Sequence, residues 1–478
     1  MPTIIEWVKH LEEKIEGQKA YAAPFETRYR NEYVLPFIAA EYREVYGAKA
    51  DQVLTGILEA PRTGAAGVVI DALTERLTVL GGSSEDEATA KALEAAWDDN
   101  DMDVMHREAH REALVRSRSF GAVSKSTDDR AIMTIESSEQ AAVHRMQAPP
   151  YDVDAYLKIW VDEWTGARHG LLQLPGRDIP LTEDKVARLD PEEPTSGRMS
   201  RWVAGPEKPR PGPVPAVEFR HNARLLVEPT SEIEPVTTLV DELDLIDGLM
   251  VFAGHFGAVP IRYGTGLDIM RDPRDQTKPL LGPDGKPMLG FKPRADHFWF
   301  NSNPDAKFGQ LTPATLDTFV TWANHATGRL RAKTRVASTY FYLDIKSHMS
   351  AELLKVDEAP MIRRVRGMGH EGSFNQAWRR FLALAAQVEG HRGRVKTRWG
   401  DPQTRMESQS VDAFQKAVTG GLGRQHAAEQ FLGWSPELAK KAVAQGAVER
   451  AAEQAAKNAD PIAAALLRDA GVLTDPGA

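Results

Sequence analysis

The chain has 478 residues, a formal net charge of −9 and no cysteine, with 42% hydrophobic and 27% charged residues. Disulfides and thiolate metal sites are therefore excluded, and an intracellular folding compartment is expected. The acidic balance argues against a sequence-specific DNA reader, which carries a basic footprint, but not against a protein along which DNA slides, since each neutralised phosphate strengthens binding.

The opening MPTIIEWVKHLEEKIEG mixes charges into its apolar residues, unlike a signal peptide, and Ile4, Trp7, Val8, Leu11 and Ile15 recur at helical spacing. A second amphipathic helix is expected from about Gly64 to Leu80, ended by Gly81-Gly82, and a third through KALEAAWDDNDMDVMHREAHREALVRSRSF. From Gly121 the period changes to two. AIMTIES, DAYLKIWVDEW, GARHGLLQLPGRDIPL and SRWVAG alternate between turn residues and read as an antiparallel meander. The proline-rich stretch that follows Glu193 reads as a surface loop leading to an edge strand.

From Glu232 the helical pattern returns and becomes apolar nearly all round, which implies contact on several sides. Its window Leu245 to Ile261 carries Asp247, His255 and three glycines, short of the roughly 20 apolar residues a bilayer needs. Residues 271–304 are dense in Pro, Gly and charge and leave room only for short strands such as HFWF. Thr312 and Pro313 signal a new helix with the stripe Leu316, Phe319, Val320, Ala323, Ala326 and Leu330, continuing to about Arg335. Ser350 caps the next, expected to run towards Val388 with kinks or breaks at Pro360 and at glycines 367, 369 and 372. In FLGWSPELAKKAV, Gly433 stops one helix while Ser435 and Pro436 start another.

Catalytic signatures are sparse. There is no GxxxxGK[ST] phosphate loop and no GxSxG elbow. His106 and His110 stand one helical turn apart, but the order HxExH is not that of zinc proteases and no third ligand is signalled, so a solvated helix face is the expected setting. Asp241, Glu242 and Asp244 fit a helix start through the helix dipole. The basic run Arg329, Arg331, Lys333, Arg335 favours a helix end by roughly 0.3–1 kcal/mol each. Arg329 and Lys333 share one face, Arg331 and Arg335 another, and both faces need solvent or an anionic partner.

The order of elements is more specific than any motif. Helices, a β meander, an apolar helix, a Pro/Gly-rich excursion, a returning helix, a short loop, a long interrupted helix and a small helical cap together resemble the portal proteins of tailed bacteriophages, in the branch of Gram-positive phages and actinobacteriophages. RNEYVLPFIAAEY, VVIDALTERLTVLG, ALVRSRSFGAV, DAKFGQLTPATLDTFV and DPQTRMESQSVDAFQKAV followed by LGWSPE carry the resemblance. EAPMIRRVRGMGHEG departs from the usual helix-friendly run of that family.

The resemblance implies an α+β fold. Its parts would be a wing over 1–230, a first stem helix over 231–262 and a clip over 263–310. A second stem helix over 311–336, a tunnel loop over 337–349, a wing spine helix over 350–395 and a crown over 396–478 would complete it. It implies a non-enzymatic structural protein of the virion, without cofactor, metal or membrane, assembled in the host cytoplasm into a ring, by expectation a dodecamer, at the unique capsid vertex. Double-stranded DNA would pass non-specifically during packaging and ejection. Partners would be the terminase large subunit, head-completion or adaptor and tail proteins, and a major capsid or scaffolding protein. Arg331, Lys333, Arg335, Lys346 and His348 would face the channel. Arg271, Arg274, Lys278, Lys286 and Lys292 would serve the clip, and Leu245, Met250, Val251, Phe256, Phe319 and Trp322 would pack between copies. The rival readings are a non-viral oligomeric scaffold that never meets DNA and a nucleic-acid-processing enzyme.

Overall fold

The computed structural model describes residues 2–33, 35, 62–147, 152–183, 202–258, 262–266, 269–282, 285–288, 303–310, 315–341, 351–403, 407–434 and 436–458. Helix α1 (Ile4–Tyr29) opens on a capping box, in which the Thr3 hydroxyl accepts from the Glu6 amide and the Glu6 carboxylate accepts from Thr3 N at 2.7 Å. The Thr-x-x-Glu signal stands in the sequence. Val8, Leu11 and Ile15 bury against one core while Phe25, further along the same helix, enters another.

Helix α2 (Ala65–Arg76) stops earlier than its periodicity predicts. Gly81 and Gly82 do not end it but lie inside strand β1 (Val79–Ser84), which pairs antiparallel with the remote strand Val395–Trp399. The third predicted helix is two, α3 (Glu87–Asp99) and α4 (Met102–Arg116). Asp101 turns the chain at φ 50°, and the Asn100 side chain donates to Ala96 O and Ala131 O and accepts from Met133 N. The break thus clamps the helices to the next sheet.

That sheet holds β2 (Arg118–Lys125) between β3 (Ala131–Ser137) and a later strand, Ala216–Arg220. The switch to strand comes at Arg118, three residues before the glycine that marks it in sequence. The meander forms one strand later than its pattern predicts: AIMTIES is β3 and pairs with β2, while β4 (Ala141–Arg145), β5 (Val153–Val161), β6 (Arg168–Leu174), β7 (Arg177–Glu183) and the short β8 (Trp202–Ala204) lie in that order in a second sheet, all antiparallel. β9 (Lys208–Pro209) adds to β7, and β10 (Ala216–Arg220) returns to β2.

A 3-10 turn (Glu234–Val236) leads into α5 (Thr237–Ala258). After it β11 (Arg262–Thr265) pairs antiparallel with β14 (Lys307–Gln310), enclosing the small hairpin of β12 (Arg271–Asp272) and β13 (Asp275–Pro279). The HFWF segment lies outside the described residues, as do Thr312 and Pro313. Helix α6 (Leu316–Thr334) runs back along α5: Lys333 reaches Pro235 O and Arg329 reaches Glu242, so the two are antiparallel.

Helix α7 (Ala351–Met368) continues through Pro360; the expected break falls instead at the glycines before α8 (Ser373–Val388). Gly372 is required there, because a Cβ would collide with the carbonyls of Gly367 and Met368. Strand β15 (Val395–Trp399) then closes β1, so the boundary expected at 396 falls inside a strand of the main body. Helix α9 (Glu407–Thr419), the short α10 (Arg424–Ala427) with its π turn to Leu432, and α11 (Pro436–Asn458) finish the described chain. Gly433, at φ 71°, ends the π turn where the sequence indicates a stop. The fold is α+β. None of the described helices is long and apolar enough to cross a membrane.

Candidate functional site

Three features bear on function: the two-helix arm of α5 and α6, the base of the loop between α6 and α7, and the strand-rich excursion between α5 and α6.

The arm is half sheltered. Leu239, Val240, Leu243 and Ile246 of α5 and Ala326 and Leu330 of α6 are buried in the main core, whereas Val251 is 55% exposed and Leu316, Val320 and Trp322 are also exposed. At about 1.5 Å per residue, α5 is roughly 33 Å long, so shelter at one end leaves an apolar surface at the other. Of the residues expected to pack between copies, Met250 and Phe319 already lie against the chain's own core and Leu245 is half-buried; Val251 and Trp322 remain exposed. The side chain of Phe256 lies outside the described residues.

Three carboxylates hold the sheltered end of α5. Asp241 takes a bidentate pair from Arg28 at 2.8 and 2.9 Å. Asp244 accepts from the Tyr33 hydroxyl and from both Thr63 N and Thr63 Oγ1. Glu242 accepts from Trp322 Nε1 at 2.8 Å and pairs with Arg329. These groups tie the arm to α1, to α2 and to itself. Burial and the neighbouring Asp244 carboxylate push the Tyr33 phenol well above its usual range.

The basic run finds its anionic partners largely inside the chain. Arg329 pairs with Glu242, Arg331 donates to Asp357 Oδ1 at 2.7 Å, and Lys333 donates to Pro235 O at 3.1 Å. Arg335, the C-cap of α6, is exposed and left-handed at φ 61°. Asp357 does more than neutralise Arg331: its Oδ2 accepts from Ser338 N and Ser338 Oγ, both at 2.7 Å. Arg76 forms a second clasp, donating to Tyr340 Oη, Pro402 O and Glu358 Oε1. The first residues of the loop, Ser338 and Tyr340, are therefore bolted to α7 and α2. Lys346 and His348 lie outside the described residues.

In the excursion, Arg271 Nη1 donates to Gln276 O at 2.8 Å, and Lys278 pairs with Asp275 at 3.2 Å. Arg274 occupies the hairpin turn, where its amide donates to Asp272 Oδ1, and Lys286 is exposed. The structure gathers Arg271, Arg274 and Lys278 on one hairpin. Lys292 lies outside the described residues.

The paired histidines depart from expectation. Both are buried, His110 completely. His110 Nδ1 lies 2.9 Å from Leu77 O, and Nε2 accepts from Trp378 Nε1 at 2.8 Å, which places the ring proton on Nδ1. The ring stacks between Phe374 and Trp399. Burial, with His106 nearby, lowers its pKa to about 3. Helix periodicity could not reveal this setting, because Trp378 lies 268 residues away. Among the described residues no group of three or more His, Cys, Asp or Glu is placed to hold a metal ion.

A histidine whose folded pKa lies below its unfolded value of about 6.5 contributes stability that is complete above that value and is lost as pH falls towards 3. His110→Gln should flatten the loss of thermal stability between about pH 6.5 and 4 relative to the parent. Equal slopes in the two melting series would show that His110 is not held neutral.

No protein-family model matches the chain, and no curated protein matches it. Among solved structures, a chain of the virion of a native gene transfer agent particle aligns over 87% of this chain and 99% of its own, with 8% identity and a TM-score of 0.42. A chain from the neck of the native particle, computed with C12 symmetry, aligns over 80% and 92% at 9% identity and a TM-score of 0.42. One from the neck of the empty particle, computed with C6 symmetry, aligns over 80% and 93% at 11% identity and 0.39.

Proposed function

We propose that this chain is one subunit of a phage portal, a structural and non-catalytic ring, by expectation of twelve copies, at the unique vertex of a capsid. The observation that carries this reading is the half-sheltered arm. Exposed Val251, Leu316, Val320 and Trp322 on a paired helical stem are stabilised when adjacent stems cover them, and a repeated lateral contact closes into a ring when its rotation fits. The order of elements, with a β meander before the arm and a helical cap after it, supports the same reading through the family resemblance.

In this reading double-stranded DNA passes along the axis during packaging and ejection. The excursion over 263–310 meets the terminase large subunit and later the head-completion, adaptor and tail proteins. The wing meets the capsid or its scaffold. Purified chain should form closed particles with a central hole in negative-stain images, with native masses at a fixed multiple of the subunit. A chain that stays single at micromolar concentration, or particles without a hole, would overturn the proposal.

The intrachain pairs revise which charges serve the channel. Arg331, paired with Asp357, acts as a structural tie and leaves the set, so Lys333, Arg335, Lys346 and His348 remain the channel-facing candidates. A few separated charges suit passage, because affinity rises with the number of phosphates neutralised. Arg335→Gly tests this without harming the fold. Glycine accepts φ 61° freely, so stability should hold or rise by up to about 1 kcal/mol, while rings bind duplex DNA more weakly with a shallower salt dependence. An unchanged salt slope would remove Arg335 from the belt.

A further inference from the structure

The turn that joins β10 to the 3-10 turn presents two leucines in the open. Leu225 is 93% exposed and Leu226 fully so, and beside them Arg224 is exposed as well. Asn222 has φ 48°, which asparagine accepts readily, but Leu226 has φ 57°, a left-handed conformation that costs a leucine. This turn is built. Arg224 and Val227 form an antiparallel bridge, His221 N donates to Ser117 O at 2.9 Å, and Glu228 is held by Arg118 at 2.7 Å. His221 itself is buried against Glu232. Exposure and backbone strain both oppose this arrangement, yet anchors at each end hold it in place.

The same chain carries a concavity of about 500 Å³ on α2. Gly64, Gly67, Val68 and Ala72 line it, between Tyr29 and Tyr340. It stays open for want of side chains: a Cβ on Gly67 would meet nothing closer than Tyr29 O at 3.9 Å. Asp71 and Glu75, one helical turn apart, also line it, and Glu75 is exposed.

We infer that the Leu225–Leu226 knob of one copy seats in the α2 concavity of the next, with Arg224 meeting Glu75 and Asp71. The knob is apolar with a cation beside it. The concavity is floored by small apolar residues with two carboxylates on it, so apolar character and charge both match. Knob and concavity are different patches, so the contact is head-to-tail and propagates from copy to copy until it closes. The inference rests on the ring reading and names one of the contacts that would build it.

The cysteine-free sequence makes the test clean. Leu226→Cys combined with Val68→Cys should give oxidant-dependent multimers of two, three and more chains, and neither single variant should climb beyond dimers. Leu225→Ser/Leu226→Ser should raise the concentration needed for assembly by roughly tenfold or more, with the melting temperature of the single chain unchanged. Leu226→Gly should hold or raise that melting temperature and still weaken assembly. Gly67→Leu, which fills the concavity from the other side, should do the same. Glu75→Arg should weaken assembly, and Arg224→Glu should partly restore it. If the parent assembles while the double-cysteine variant gives no ladder and the knob and concavity variants assemble like the parent, this contact is wrong and the ring stands. If the parent itself never assembles, the ring reading fails first.

Discussion

Trp378→Ala is expected to cost about 3–5 kcal/mol, the usual range for deleting a large buried aromatic side chain. Trp378 is fully buried at the centre of the main core. Its ring lies 4.9 Å from Phe219, 5.7 Å from Trp97 and 5.8 Å from Phe381, centre to centre. These partners come from β10, α3 and α8, so one side chain joins three elements far apart in sequence. Its Nε1 also supplies the hydrogen bond that fixes the His110 tautomer. Trp378→Phe separates the two roles. It keeps most of the packing but orphans His110 Nε2, and should cost about 1–3 kcal/mol. Urea melts of the three proteins, followed by far-ultraviolet circular dichroism, give the comparison. A Trp378→Ala midpoint indistinguishable from the parent would refute this account of the core.

Arg364→Ala is expected to be nearly as damaging, for an electrostatic reason. Glu232 is 1% exposed, and its Oε2 receives Arg364 Nη2 at 2.6 Å and His221 Nε2 at 3.0 Å. Removing Arg364 leaves the buried Glu232 carboxylate with only His221 beside it, a loss of up to about 3–5 kcal/mol. Arg364 also donates to Thr334 O at the end of α6, so the same substitution frees one end of the loop base. Adding Glu232→Gln to Arg364→Ala removes the stranded charge and should recover part of the loss. If the second substitution makes matters worse, packing and not charge governs the site.

Much of the architecture is legible in the sequence where the deciding interactions are local. The helical spacing of Val8, Leu11 and Ile15, the alternation of β5 to β7 and the stop at Gly433 all stand as read. The sequence misleads where the partner is remote. Gly81 and Gly82 look like a helix terminator, yet they lie in a strand because Val395–Trp399 offers it an edge. His106 and His110 look solvated, yet Trp97 packs beside His106 and Trp378, Phe374 and Trp399 surround His110. Asp241 and Asp244 suit a helix start by dipole alone, whereas their partners Arg28, Tyr33 and Thr63 come from other parts of the chain. Arg329 and Arg331 show that a run of like charges near a helix end is ambiguous: half of it binds Glu242 and Asp357 and is not free for a ligand.

The pairing of β1 with β15 has a consequence for biosynthesis. During translation the earlier strand emerges some 300 residues before its mate. At ~5–20 residues per second it waits roughly 15–60 s with its backbone donors and acceptors unmatched. Such an edge invites pairing with a neighbouring nascent chain. Production should therefore be sensitive to ribosome spacing and chaperone supply, and a fragment truncated before Val395 should precipitate where one ending after Asp401 does not.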